Sequence, residues 1–254
     1  MKTSNNTSMH TKWDLGGRVA LISGGSRGIG AACAKSMVDA GARVIAVARN
    51  QGDLDRLRDR LGSAVETWAE DVNERSFRRR LEQLERLDIL FNNAGTNSPQ
   101  PFIDTPEEVV DEMIALNVRS MFLAAQSAAR VMLRAGAGGS IINMSSQMGH
   151  IGAANRTVYC MTKHAVEGLT KALGVELAPH GIRVNSVAPT FIETPMTVPM
   201  LEDEAFRQWA LDCIPMGRIG QLREVVAAVM FLASPDSSLM TGSSLKVDGG
   251  WTAR

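Results

Sequence analysis

Val19-Ala20-Leu21-Ile22-Ser23-Gly24-Gly25-Ser26-Arg27-Gly28-Ile29-Gly30 sets how the rest of the chain is read. An apolar, β-rich run from Arg18 to Ser23 feeds a glycine-rich turn, and a helical pattern follows from Gly28 to Ala40. Glycines let the backbone turn sharply and approach a ligand closely, and the helix start offers unpaired N–H groups to an anion. A plain connection has no need of four glycines in seven residues, which cost backbone entropy. Three ligand readings compete. A P-loop requires Lys-Ser or Lys-Thr after Gly30, where Ala31-Ala32 stands. Gly24-x-Ser26-x-Gly28 fits the nucleophile elbow of serine hydrolases, but the upstream chain has room for one strand only and the last histidine is His180. A dinucleotide pyrophosphate site remains, on a Gly24-x-x-x-Gly28-x-Gly30 spacing that departs from the Gly-x-Gly-x-x-Gly form.

Outward from this turn, short β-rich runs alternate with longer helical patterns. Strands are predicted over Arg43–Ala48, Glu66–Ala69, Asp88–Asn92, Ser140–Met144, Arg183–Ala188 and Leu245–Val247. Helices are predicted over Gln51–Leu61, Glu74–Leu84, Pro106–Arg134, Val158–Leu177, Glu202–Cys213 and Leu222–Ala233. This alternation predicts one α/β domain over residues 13–254, doubly wound in the Rossmann manner around a mostly parallel sheet of about seven strands. Residues 1–12 read as a flexible polar tail without the apolar stretch of a signal peptide. Residues 190–216 read as an irregular lid.

Composition narrows the partners. With 27 basic and 27 acidic side chains the chain has no net charge to attract nucleic acid or an anionic membrane. Three scattered cysteines make neither a disulfide framework nor a Cys-x-x-Cys metal site, and no metal is expected. The longest apolar run, Val225 to Ala233, is about half of what spans a bilayer. A cytoplasmic protein acting on a small molecule is the expectation.

An NAD site places an acidic residue about 20 residues beyond the glycine-rich turn, against the ribose 2′-hydroxyl. Here the second strand ends Ala48-Arg49-Asn50, with no carboxylate. Arg49 and Arg27 supply two guanidinium groups suited to a 2′-phosphate, so NADP(H) is favoured over NAD(H).

The only tyrosine opens Tyr159-Cys160-Met161-Thr162-Lys163. Residues four apart share a helix face, so phenol and ammonium can converge on one ligand. An ammonium about 5 Å away is worth roughly 3 kcal/mol at an effective dielectric near 20, enough to bring a phenol from about 10 towards 8.

At this point the chain resembles a short-chain dehydrogenase/reductase from Gly17 to Trp251. The motifs in order are Gly24-x-x-x-Gly28-x-Gly30, Asn92-Asn93-Ala94-Gly95, Asn117, Ser146, Tyr159-x-x-x-Lys163, and Pro189 with Thr194. The resemblance implies that Tyr159 exchanges a proton with the carbonyl oxygen and that Lys163 lowers its pKa and bonds the nicotinamide ribose. It implies that Ser146 holds the substrate oxygen and that Asn117 anchors a water leading to Lys163. By residue type alone, Ser145 competes with Ser146, and Asn117 is a polar residue kinking a helix. Cofactor contacts are implied at Gly24, Ser26, Arg27, Gly28, Ile29, Gly30, Arg49, Asp71, Val72, Asn93, Ala94, Gly95, Tyr159, Lys163, Pro189, Ile192 and Thr194. Thr190 stands where most members have glycine.

Within the family, the stretches Val47-Ala48-Arg49, Ser145-Ser146-Gln147 and Val158-Tyr159-Cys160 are similar to NADPH-dependent carbonyl reductases of the xylulose and diacetyl type. A ketose, polyol, sugar acid or dicarbonyl is then the expected substrate, with Ser146, Gln147, Arg156 and Tyr159 lining its site. Arg156 favours an acidic substrate if it faces the cleft; a solvent-facing arginine is the alternative. Phe191, Met196 and Met200 are expected to form a mildly apolar wall, and His150 and Asn155 stay ambiguous. An NAD-dependent polyol dehydrogenase, a 3-oxoacyl-thioester reductase and a non-catalytic dinucleotide sensor are the competing functions. The resemblance also implies a homotetramer, or a dimer, built on the helices Pro106–Arg134 and Val158–Leu177 and on the last helix and strand. Glu74 and Glu82 are expected to pair with Arg78 and Arg86 along one solvated helix face.

Overall fold

Runs rich in Val, Ile and Ala become strands buried on both faces, as an all-parallel sheet requires. The structure, a computed structural model, describes residues 13–253; the predicted tail 1–12 lies outside the described residues. The strands are β1 (Val19–Ser23), β2 (Arg43–Ala48), β3 (Val65–Ala69), β4 (Ile89–Asn92), β5 (Gly139–Met144), β6 (Ile182–Pro189) and β7 (Ser244–Val247). They form one seven-stranded sheet in the order β3-β2-β1-β4-β5-β6-β7, and every pair is parallel. The order reverses between β1 and β4. Loops after these two strands therefore diverge and leave a crevice at the strand tops, where doubly wound folds bind ligands.

The helices are α1 (Gly28–Asp39), α2 (Gln51–Leu61), α3 (Arg75–Glu82), α4 (Glu107–Ile114), α5 (Ser120–Ala135), α6 (Thr157–Leu177), α7 (Val198–Leu201), α8 (Glu204–Cys213) and α9 (Leu222–Ala233). One face of the sheet is covered by α1 and α9, whose Cys33, Met37, Val225 and Val229 pack on Ile22 and Phe91. The other is covered by α3 and α5, where Phe77, Leu81, Ala128 and Val131 meet Leu21, Leu90 and Ile141. The apolar run Val225 to Ala233 is thus buried on more than one side.

Three expectations shift. The single helix expected over Pro106–Arg134 is two helices joined through a π-turn, Ala115–Arg119, that carries Asn117. Such a turn inserts one extra residue into the helical repeat, and sequence periodicity barely registers it. The expected pairing along α3 is absent. Arg78 donates to the carbonyls of Asn73 and Glu74, Arg86 pairs with Asp88, and Glu82 reaches across to Arg130 and Ser127 on α5. Helix contacts between neighbours in space outcompete those along one helix. In the stretch 190–216 the expected helix is α8, but a further short helix, α7, precedes it, and the Phe191 ring packs on Phe206 of α8.

Candidate active site

The turn after β1 is shaped by two glycines. Gly24 sits at φ +65°, and a Cβ there would lie 2.9 Å from the Asn93 side-chain nitrogen. At Gly30 a Cβ would lie 2.2 Å from the Gly24 carbonyl oxygen, so only a bare backbone fits. Asn93 Nδ2 donates to the carbonyls of Ser23 and Gly24, and the Ser23 hydroxyl accepts from the Asn93 and Ala94 amides. The turns after β1 and β4 are thereby tied together at the switch point. Helix α1 opens here with no side-chain cap and no acidic residue in its first turn. Its free N–H donors suit the pyrophosphate of a dinucleotide. Across the crevice, Thr194 and Pro195 stand 3.9 Å from the position of a Cβ on Gly28.

At the β2 edge the structure adds an element that sequence did not suggest. Arg27 Nε pairs with Asp53 at 3.1 Å and Arg49 with Asp71 at 4.0 Å, so neither guanidinium is a bare positive charge. Asp53 also takes Arg56, and its backbone amide donates to the Asn50 side chain that caps α2. Both Arg27 and Arg49 side chains remain more than two-thirds exposed. Counting Arg56, three cations face two carboxylates, and a net positive charge persists. Asp71 also receives the Asn73 amide, and Val72 is buried.

The expected catalytic group converges where β5 and α6 meet. Ser146 ends the strand, and its hydroxyl donates to Gln147 Oε1 at 2.7 Å and accepts from the Met148 amide. Tyr159 and Lys163 share one face of α6, with Lys163 Nζ 5.5 Å from the phenol ring centroid. Burial pushes the Tyr159 phenol above its ordinary value, and its hydrogen bond with Ser146 offsets part of this. The drop towards 8 expected for the phenol is therefore not present in this structure. The physical reason is that desolvation dominates, while the ammonium donates to the Met144 carbonyl at 2.8 Å. Burial instead brings Lys163 itself down to about 8, with Glu167 acting in the opposite sense. A Cβ on Gly95 would sit 3.2 Å from Asn117 Oδ1 and 3.8 Å from Lys163 Nζ, so these groups meet beside the β4 loop.

Asn117 is fully buried, and its amide is in use. Its Oδ1 accepts from the Thr96 amide and its Nδ2 donates to the Thr96 carbonyl, both at 2.8 Å, with Thr162 Oγ1 at 3.3 Å. The side chain buttresses the Thr96 backbone, just beyond the Asn93-Ala94-Gly95 loop. Between the two candidate serines, Ser145 has a buried hydroxyl without a hydrogen-bond partner, whereas Ser146 belongs to the Tyr159 group.

Around this group the expected substrate residues separate. Gln147 is buried against Ser146, and Arg156 is buried at the start of α6. His150 turns away to Ser244 at 3.0 Å and Glu167 at 3.3 Å, while Asn155 is exposed at φ +58°. Phe191 is buried in an apolar cluster against which Tyr159 packs, and its ring meets Phe206, Trp209 and Trp251. Met196 is largely exposed and Met200 packs at the edge of that cluster. Pro189 ends β6, Thr190 holds a buried hydroxyl without a partner, and Ile192 is buried. Thr194 is fixed by hydrogen bonds to Thr197.

Sequence reasoning missed Asp53, Thr96 and Ser23. For Asp53 a signal existed, since Asn50 is a helix N-cap and Asp53 is its N3 residue, within reach of the turn before α1. Thr96 and Ser23 act through backbone groups or one small hydroxyl, and no spacing marks them.

Across residues 24–252 the chain matches the family described as enoyl-(acyl carrier protein) reductase. It is 42% identical over 240 residues to L-xylulose reductase of Bos taurus, covering 94% of this chain and 98% of that one. A short-chain type dehydrogenase/reductase from Mycobacterium marinum, 41% identical, superimposes with a TM-score of 0.89 over 95% of this chain and 98% of the other. A gluconate 5-dehydrogenase from Burkholderia cenocepacia in complex with NADP and tartrate gives the same TM-score at 35% identity, covering 95% of this chain and 97% of that one.

Proposed function

The chain belongs to the short-chain dehydrogenase/reductase family, oxidoreductases of alcohols and carbonyls, and from there we propose that it moves hydride between NADP(H) and a carbonyl or secondary alcohol of a small polar substrate. One observation carries this reading. Tyr159, Ser146 and Lys163 meet at the tops of β5 and α6, in the same crevice as an uncapped helix start that suits a dinucleotide phosphate. When bound, the nicotinamide supplies or accepts the hydride.

The residues of the chain do the rest. Ser146 holds the carbonyl oxygen against the Tyr159 phenol. Burial keeps that phenol protonated at neutral pH, so Tyr159 gives its proton to the oxygen in reduction and takes one back in oxidation. Lys163 contributes positive charge that steadies the developing tyrosinate, and it bonds the nicotinamide ribose. Gly24, Ser26, Gly28, Ile29 and Gly30 hold the pyrophosphate. Asp71, Val72, Asn93, Ala94 and Gly95 surround the adenosine, and Pro189, Ile192 and Thr194 meet the carboxamide. Arg27 and Arg49 receive the 2′-phosphate, since surface ion pairs of this kind exchange partners at little cost. The Asp53 carboxylate beside Arg27 is the specific observation favouring NAD(H), with polyol dehydrogenation as the second reading.

A ketose or dicarbonyl is consistent with the likeness to L-xylulose reductase, and a sugar acid with the likeness to gluconate 5-dehydrogenase. Residues 190–216 are read as the lid over this substrate. No helix among the described residues is long and apolar enough to cross a membrane, and a cytoplasmic homotetramer is part of the same reading. Exposed Phe122 and Leu133 on α5 and Met161 and Val175 on α6 support association through these helices. The test follows NADPH absorbance with ketoses, diketones, sugar acids and 3-oxoacyl thioesters. At least one class is expected to turn over, with Tyr159→Phe slower by about 10²–10⁴-fold. A variant as fast as the parent overturns the mechanism.

A further inference from the structure

We propose that Arg156 receives a carboxylate of the substrate, so that the carbonyl compound this site selects is a small oxo acid and its reduced partner a hydroxy acid. The inference rests on the reading of Tyr159 and Ser146 as the carbonyl end of the site, and it narrows the substrate from polar carbonyls in general.

Arg156 is only 7% exposed. Arginine is almost never buried to this degree unless it is paired. Yet among the described residues no carboxylate lies within 4.0 Å of it, and its side chain makes one long hydrogen bond, Nη1 to the Asn155 carbonyl at 3.4 Å. A guanidinium carries five N–H donors, and the protein meets one of them here. Arg183 shows what a structural arginine looks like in the same molecule. Burial lowers its pKa as well, but its guanidinium donates to Ser237 Oγ and to the carbonyls of Leu232 and Ser234.

The position of Arg156 adds to the argument. It is the residue before α6, a 21-residue helix with no acidic residue in its first turn and no side-chain cap at that end. The positive end of the helix dipole thus reinforces the guanidinium, and a carboxylate placed there would be held by both. Arg156 stands three residues before Tyr159, and the two groups sense each other electrostatically. Besides Tyr159, Cys160 is the ionisable side chain acting on it. Arg156 immediately precedes the turn of α6 that carries Tyr159, so an acid group held there belongs a few bonds from the reacting carbon. The phosphates of a dinucleotide are assigned to the turn after β1. That turn lies two strands from β5, about 10 Å across the sheet, which leaves Arg156 to the substrate. The carboxylate itself takes no part in the bond changes.

The experiment compares oxo-aldonates with neutral ketoses of equal carbon number, for the parent enzyme and for Arg156→Gln and Arg156→Lys, with NADPH saturating. The parent is expected to prefer the acid at least about tenfold in kcat/KM. The acid-to-ketose ratio is expected to fall by about 10–100-fold in Arg156→Gln, chiefly through KM of the acid, and to recover in part in Arg156→Lys. Malonate, which carries no reducible carbonyl, serves as a binding probe and is expected to raise the Tm of the parent but not of Arg156→Gln. A parent that prefers neutral ketoses overturns the proposal, as does a Gln substitution that raises KM for NADPH instead. Failure of every substrate with both NADPH and NADH defeats the underlying reading of Tyr159. In that event an Arg156-dependent malonate shift still supports the carboxylate site, and its absence defeats that too.

Discussion

At the β2 edge of the crevice, Arg27 and Arg49 stand in solvent beside Asp53 and Asp71; at the start of α6, Arg156 is buried with no carboxylate beside it. The residue type is the same, but the dielectric around it is not. An exposed ion pair is worth about 1 kcal/mol or less and reforms readily around an incoming anion. A buried cation loses its hydration and recovers it only from a partner. The first arrangement suits a site that receives a phosphate at the rim, and the second suits a site that recognises one charge on a small substrate. Lys163 lies at the buried extreme as well, and its pKa near 8 records that cost.

The largest effect is expected at the buried end. Lys163→Met should lower kcat/KM for reduction by about 10²-fold or more, measured by steady-state NADPH oxidation. The same ammonium sets a pH limb. Parent kcat/KM should fall above pH about 8 as Lys163 loses its proton, and Lys163→Met should lack that limb. For stability the sign is opposite. Between about 8 and the ordinary lysine value near 10.5, an unfolded chain binds a proton that the folded chain has released, so this group adds stability as pH rises through that window.

At the exposed end the effect is intermediate. Arg27→Ala with Arg49→Ala should reduce the NADPH-to-NADH ratio of kcat/KM by about tenfold or more, with kcat little changed. A parent that already prefers NADH would reverse the reading of this edge. The smallest effect sharpens the contrast most. By thermal unfolding without ligand, Arg156→Met should leave Tm unchanged or raise it, because a buried cation without a carboxylate partner is removed. Arg183→Met should lower Tm, since three carbonyl or hydroxyl partners would be left unmet. A drop at Arg156 equal to that at Arg183 would make Arg156 structural.

Much of this was legible in the chain. The turn Gly24 to Gly30 and the alternation around it implied the doubly wound sheet, because strand and helix periods are local properties of sequence. The Tyr159 and Lys163 pairing was legible for the same reason, four residues being one helical turn. Partners distant in sequence were not. Asp53 meets Arg27 across 26 positions, Asn117 meets Thr96 across 21, and Glu82 meets Arg130 across 48. No spacing rule predicts such pairs. The π-turn at Asn117 was read as part of one continuous helix because its one extra residue barely disturbs the apolar repeat.

Sequence by itself determined the fold class, the order of motifs and the residues that meet along one helix, since these depend on short-range geometry fixed by residue type. Tertiary structure decided which charges are paired and which are buried alone. It set Phe191 among the rings of Phe206, Trp209 and Trp251, turned His150 to Ser244, gave the Asn117 amide to Thr96, and left Arg156 under cover without a carboxylate. The physical reason is that burial and electrostatic pairing depend on what surrounds a group in three dimensions, and in this protein those surroundings come from segments far apart in the chain.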